Sequence, residues 1–254
     1  MQDDSLPKIV QTIRLRTPAR VLMGRSGGGY RTSTQLELRA AHAAARDAIR
    51  AEFALSEHFT NEFIDRFGIF EVQSQARCKD EYLLRPDLGR QLAVEHGNTI
   101  AGRCPSRPDL QIIIGDGLST TAVAAQVPPL LPLLVQGAAV RSWTVGGTFA
   151  VRFCRVGILN SVGDLLKPRI AVLLIGERPG LATAESLSAY MAFEPRSGHT
   201  DANRNLISNI HRQGVQTDEA AVRILILADR MLRLKSSGVQ VREELAGEAA
   251  GRLP

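Results

Sequence analysis

The chain has 254 residues, 44% apolar and 22% charged, the balance of a globular protein long enough to bury one large core. Its net charge of +5 comes from 31 basic and 26 acidic residues, and aromatics make up only 5% and nowhere alternate with Lys or Arg, so the footprint of a nucleic-acid binder is missing. Three widely spaced cysteines (Cys78, Cys104, Cys154) without a C-x-x-C, and five histidines without an H-E-x-x-H, argue against a disulfide framework or a zinc site. Buried, reduced thiols are the expectation. No apolar run approaches the roughly 20 residues of a membrane helix. The acidic opening MQDDSLPKIV lacks the apolar core of a secretory signal, and a cytoplasmic location is expected.

In chain order, residues 1–33 are polar and carry RSGGGYRTS. Its glycines lack the Lys-Ser/Thr of a P-loop, so a flexible connector is expected. Thr34-Gln-Leu-Glu37 fits a capping box, and the Ala-rich run behind it predicts a long helix from about Thr34 to Phe53. Its alanines, among them Ala40, Ala43, Ala44 and Ala48, run all round the helix, so either more than one side of it is covered or these small side chains simply tolerate water. Residues 56–107 alternate short helical and extended pieces. LQIIIGDGLSTTAVAAQ then reads as a buried strand over Leu110–Ile114, a Gly-Asp-Gly turn, and a helix opened by Ser119 or Thr120.

Pro128, Pro129 and Pro132 punctuate the next connection, so LPLLVQGAAV is expected as a separate helix. Thr148–Arg155 alternates as a strand, a short helix follows around Val162–Leu166, and Ile170–Ile175 reads as another buried strand. That strand breaks into Gly176-Glu177-Arg178-Pro179-Gly180, and the Ser/Thr-dotted segment behind can start a helix. Pro195 to Gln213 has the composition of a long ordered polar loop, with Leu206 and Ile207 packing it back. Thr217 opens a helix with Ala221, Leu225, Ala228 and Leu232 on one face and Gly238 as its stop. Strands alternating with helices over 108–238 predict an α/β fold, a mostly parallel sheet with helices on both faces. An N-terminal extension and helical segment (1–107) is expected to precede a second domain (108–254).

Two loops could carry chemistry. Gly115-Asp116-Gly117-Leu118-Ser119 turns sharply off a strand into a helix start that could face an anion. Thr120 fills the last glycine position of G-x-G-x-x-G, and the loop is not G-x-S-x-G, so a structural turn and a ligand loop both stand. In the second loop, Glu177 at a strand's carboxyl end either accepts hydrogen bonds from a ligand or is a solvated charge. His211 reads as a structural hydrogen-bonder. No triad, carboxylate pair or metal cluster assembles from sequence-adjacent residues, so no catalytic or metal-ligating residue is assigned. The residues alone describe a ligand-binding α/β domain.

Several long motifs resemble the small subunit of ethanolamine ammonia-lyase, in the right order along nearly the whole chain. They are RTPARVLMGRSG (Arg16–Gly27), HAAARDAI (His42–Ile49), YLLRPDLGR (Tyr82–Arg90), PDLQIIIGDGLS (Pro108–Ser119), LLIGERPGLATAESLSAY (Leu173–Tyr190), DANRNLISNIH (Asp201–His211) and the AVRILILADRML helix. The resemblance implies a Rossmann-like cobalamin-binding domain with an N-terminal helical part, assembled with a larger TIM-barrel subunit that holds ethanolamine. Such a complex converts ethanolamine to acetaldehyde and ammonia by radical chemistry with adenosylcobalamin. It places cofactor contacts on Val156, Glu177 and Leu206. Position 206 is often Cys in such proteins, and Leu keeps an apolar or main-chain contact but not a thiol one. The longer N-terminal extension that some of them carry, linked to packaging in a bacterial microcompartment, is not seen in this sequence; the cytoplasm and a microcompartment are the two locations implied. A reading from another class is a stand-alone nucleotide-binding α/β protein that uses the GDGLS loop.

Overall fold

A computed structural model describes residues 7–243 except 18 and 181. The acidic opening read at residues 1–6 lies outside the described residues. The chain runs α1 (Lys8–Leu15), a hairpin of β1 (Arg25–Ser26) and β2 (Gly29–Tyr30), then α2 (Thr32–Arg50), α3 (Leu55–His58) and α4 (Asn61–Phe67). It continues through β3 (Phe70–Gln73), α5 (Lys79–Leu84), α6 (Val94–Arg103), β4 (Leu110–Gly115), α7 (Thr120–Val140), β5 (Phe149–Arg152) and α8 (Ile158–Leu166). It closes with β6 (Ile170–Gly176), β7 (Leu187–Phe193), β8 (Asn205–Ile210) and α9 (Thr217–Leu234).

Six strands form one mixed sheet in the order β3-β5-β4-β6-β7-β8. The first four are parallel, and β7 and β8 add antiparallel. The central strands LQIIIG and IAVLLIG are buried at every position, as parallel strands covered on both faces must be. Their side chains alternate between two cores. Ile112, Ile114, Val172 and Leu174 point toward α7 and α9, whereas Ile113, Leu173 and Ile175 join α8 residues such as Leu159 and Val162 on the other face. The α/β class with helices on both faces and an N-terminal helical segment is therefore observed.

Several local expectations differ. The glycine-rich connector is a tight hairpin, with Gly27 at φ +62° where a side chain would be strained. The α2 helix starts at Thr32, directly off the extended Arg31, and Thr34 lies inside it, so no side-chain cap forms. Only Thr34 of its 19 residues is buried, so the described residues do not supply cover all round the alanines. The three prolines do not divide α7, which runs unbroken for 21 residues because Leu130, Leu131 and Leu134 are fully buried and fix its path. Against the expectation that no apolar run reaches membrane length, this helix is long and apolar enough to cross one, yet here it is a core helix packed on the sheet and α9.

Behind the GERPG turn the chain forms β7 rather than a helix, pairing back along β6 from Gly176–Leu187 to Ile170–Phe193. The polar 195–213 segment contains β8, an edge strand whose outward residues can be polar because they face solvent. The last helix stops at Leu234 with Lys235 left-handed, ahead of Gly238. Cys104 and Cys154 are buried, but Cys78 is exposed. The segment boundary read at 107/108 falls between α6 and β4. The sheet draws on both sides of it, because β3 pairs in parallel with β5 from Phe70–Phe149 to Gln73–Arg152.

One topological feature positions the site. From β4 the chain leaves into α7 on one face, and from the neighbouring β5 it leaves into α8 on the other. Connections departing to opposite faces open a crevice at the carboxyl ends of the two strands.

Candidate functional site

At that crevice lies a cleft of about 260 Å³. Gly117 and Leu118 follow β4, Cys154 to Val156 follow β5, and Ile175 to Arg178 end β6. Ser188 and Tyr190 of β7, Leu206 and Ser208 of β8, and Tyr82 of α5 complete it. Val156, Glu177 and Leu206, 50 residues apart end to end in sequence, thus line one space.

Asp116 shapes the floor. Its carboxylate is fully buried and accepts the backbone N–H of Phe153 at 2.8 Å and of Cys154 at 2.7 Å. Those amides turn the chain after β5, where Phe153 adopts a left-handed φ of +54°. Burial pushes the Asp116 carboxyl up, with Lys79 and the amides of Cys154, Phe153 and Gly117 pulling against it. Tyr82 closes the same corner by donating from its hydroxyl to the Cys154 carbonyl at 3.1 Å. Burial first, then the charge of Asp116, raises its phenol far above the ordinary value, so it remains a neutral donor. Val156, presented two residues on, is half-buried.

The GDGLS loop serves packing. A Cβ on Gly117 would come within 2.2 Å of the Gly176 carbonyl oxygen, and one on Gly176 within 2.0 Å of that of Ser119. Two backbones therefore touch where an incoming phosphate would need room. Ser119 caps α7 by accepting from Ala122 N–H at 3.1 Å and donates to the Ala184 carbonyl at 2.5 Å, so the helix start is covered from within. Of the two readings of this loop, the structural turn describes it.

Glu177 is half-buried and already engaged. It accepts the Ser186 hydroxyl at 2.7 Å, the Ser188 hydroxyl, and the Asn209 N–H at 3.1 Å, joining the end of β6 to β7 and β8. It is not a freely solvated loop charge. Leu206 is an edge-strand side chain left 44% exposed beside Tyr190, its cross-strand neighbour. Arg178 is exposed at the rim. His211 is buried and accepts from the Gln213 N–H at 3.2 Å, away from the cleft.

Reading the sequence missed Tyr82, Arg155, Tyr190 and Ser208. Tyr82 sits in YLLRPDLGR, a motif 72 residues before its hydrogen-bond partner, and Tyr190 looked like strand filling. Only Arg155, next to Val156, had a positional cue.

The family described as Ethanolamine ammonia-lyase light chain (EutC) matches residues 7–242. The chain is 40% identical over 230 residues to a protein of Clostridium perfringens named ethanolamine ammonia-lyase small subunit, covering 91% of this chain and 76% of that one. A protein of the same name from Clostridium acetobutylicum is 38% identical over 230 residues, covering 91% of this chain and 93% of its own length. Its namesake from Fusobacterium nucleatum subsp. nucleatum is 39% identical over 227 residues, covering 89% and 75%. A family match over residues 7–242, with relatives about 40% identical over nine-tenths of the chain, places the chain in the ethanolamine ammonia-lyase light-chain family, the small subunits of a carbon–nitrogen lyase that works as a hetero-oligomer.

Proposed function

We propose that this chain binds adenosylcobalamin in the cleft at the β4–β5 switch point, against a TIM-barrel large subunit that holds ethanolamine. The observation that carries the reading is the chemistry of the walls. The corrin ring is a broad apolar plate rimmed by neutral amides, which need acceptors. Leu206, Val156 and Leu118 offer apolar contact, and Glu177 offers a carboxylate in the same cleft. A carboxylate has about four acceptor positions. Three are taken by Ser186, Ser188 and Asn209, which leaves about one for an amide N–H and fixes the direction from which it must come.

When bound, the cofactor supplies a cobalt–carbon bond that can split homolytically, and the protein supplies binding and orientation. In this chain Glu177 would hold a rim amide, Val156 and Leu206 would cover the ring face, and Asp116 would keep the 153–156 turn in place. Among the described residues the cleft holds Glu177 as its one carboxylate, and that group is committed to strand-tying bonds. Proton handling at the substrate therefore belongs to the partner, and ethanolamine is converted to acetaldehyde and ammonia there.

The test is a visible-absorbance titration of the assembled complex with adenosylcobalamin. Leu206 is exposed on an edge strand, so Leu206→Asp should spare the fold while removing an apolar wall and adding a charge. Binding should weaken about 10- to 100-fold, the value of one buried aliphatic side chain. Unchanged affinity would move the cofactor away from this cleft. The purified chain alone, with adenosylcobalamin and ethanolamine added, should give no turnover.

A further inference from the structure

The net charge is not spread over the molecule. Residues 7–50, which form α1, the β1–β2 hairpin and α2, hold nine basic residues against two acidic ones, whereas residues 51–254 hold 22 of each. The same stretch is the part of the described chain that has no core of its own. α1 buries none of its residues, both hairpin strands are exposed, and α2 buries only Thr34. No apolar side chain from 7–50 joins the clusters on either face of the sheet. Ile9, Leu15, Leu22, Tyr30 and Leu36 are left exposed. At its far end α2 is tied to α5 by a surface ion pair, Arg50 to Asp80 at 3.3 Å, which adds little stability.

Such a segment needs cover from outside. An isolated helix shorter than about 12–15 residues is marginal in water, and α1 has eight. The outer face of α2 shows what kind of cover fits. Leu36, Arg39, Ala43, Arg46 and Arg50 recur at helical spacing on one exposed face, and Arg39 and Arg46 have no carboxylate partner among the described residues. Small alanines let another backbone come close while the guanidinium groups reach past it to carboxylates. A second arm is a poor occupant, because each would bring the same excess of positive charge. Nucleic acid fits poorly too, since Tyr30 is the one aromatic residue in 7–50 and offers no stacking platform. A bilayer would gain little from a face made mostly of alanine. An acidic protein surface with apolar sockets uses both the cations and the exposed aliphatic side chains.

We infer that residues 7–50 are a docking arm with which this chain grips an acidic face of the large subunit. No residue of the arm lines the β4–β5 cleft, so this attachment is separate from any contact made there. The inference rests on the hetero-oligomeric assembly of the family and not on the cobalamin reading.

The experiment follows association of the full chain with the large subunit by sedimentation velocity at low and high salt. Arg39→Glu combined with Arg46→Glu reverses two exposed charges and should leave thermal unfolding of the chain unchanged. It should weaken association about 10- to 100-fold at low salt, where like charges are set against each other. The loss should shrink to within about threefold near 1 M salt, where the screening length falls to about 3 Å. Arg39→Lys combined with Arg46→Lys keeps the charge and should associate like wild type. Complexes of the Glu variant driven together at high concentration should bind cobalamin with wild-type affinity. Unchanged association of the Glu variant, or a loss that ignores salt, would overturn the docking arm. So would wild-type binding to duplex DNA or to phosphatidylglycerol vesicles that the Glu variant loses, or a wild-type dimer of this chain that the variant cannot form. Failure of the wild-type subunits to associate sinks the inference as well. If they associate in this salt-dependent way but bind no cobalamin, the arm stands and only the cobalamin reading falls.

Discussion

The two longest helices, α2 with 19 residues and α7 with 21, reach the same secondary structure by opposite routes. The α2 sequence is made for a helix, rich in Ala and Arg, yet its Leu36 is 58% exposed and only a thin stripe through the buried Thr34 and the half-buried Leu38, Ala41, Ala45, Ala48 and Ile49 is covered. The α7 sequence carries three internal prolines, each of which removes a main-chain donor and crowds the preceding turn, yet its Leu130, Leu131 and Leu134 are fully buried against the sheet and α9. Intrinsic propensity holds the first. Packing holds the second, against propensity.

The largest effect should fall on α7. Leu131 is fully buried between sheet and helices, so Leu131→Ala should cost about 2–5 kcal/mol through lost contacts and a residual cavity. Leu36→Ala in α2 should stay within about 0.5 kcal/mol. Urea unfolding of the two variants measures the contrast, and equal shifts in midpoint would end it.

A smaller and opposite signature belongs to α2. Ala44 is exposed, and Ala44→Gly lowers helix propensity by about 1 kcal/mol. Because little else leans on α2, the change should show as faster amide exchange confined to residues 32–50, with the global midpoint unmoved. A drop in the midpoint would mean that α2 is folded as one unit with the sheet.

The smallest effect is a pH-dependent tie at the exit of α7. Asp109 accepts the Thr144 N–H at 2.9 Å and the Thr144 hydroxyl at 2.8 Å, and pairs with Arg169 at 2.8 Å. Burial pushes its carboxyl up, but these donors outweigh it and leave the folded pKa below the ordinary 3.8. An acid with a lowered folded pKa stabilises fully above its unfolded value and loses that contribution as pH falls through the folded one. Asp109→Asn should therefore be less stable than wild type at neutral pH and converge with it in acid unfolding as pH falls through the lowered folded pKa of Asp109. A gap that persists in acid would point to packing instead of charge.

The same division separates what could be read from residues and what could not. The runs Leu110–Gly115 and Ile170–Gly176 announce central strands because, Gln111 apart, they are unbroken apolar runs with repeated Ile and Val, ended by Gly, a property of the local letters. Ala-rich α2 and the striped α9 are likewise local. Glu177, at the end of such a strand and beside a Pro-Gly break, stood out for the same reason. The prolines of α7 misled because their cost is local while the burial that outweighs it comes from β4, β6 and α9. Strand β7 was missed because a strand that pairs back on its neighbour is specified by the partner's edge, not by its own Ser and Ala content.

The cleft follows the same rule more sharply. Its composition, a carboxylate among apolar residues, is written in Val156, Glu177 and Leu206. Its existence depends on β4 and β5 sending their chains to opposite faces, and on Asp116 reaching two amides 37 and 38 residues away. Local sequence fixes what each segment prefers, since backbone propensity and periodicity act over a few residues. Only the packed sheet decides which distant polar groups share a dielectric boundary, and it is there that charge and hydrogen bonding acquire the strength to hold a ligand.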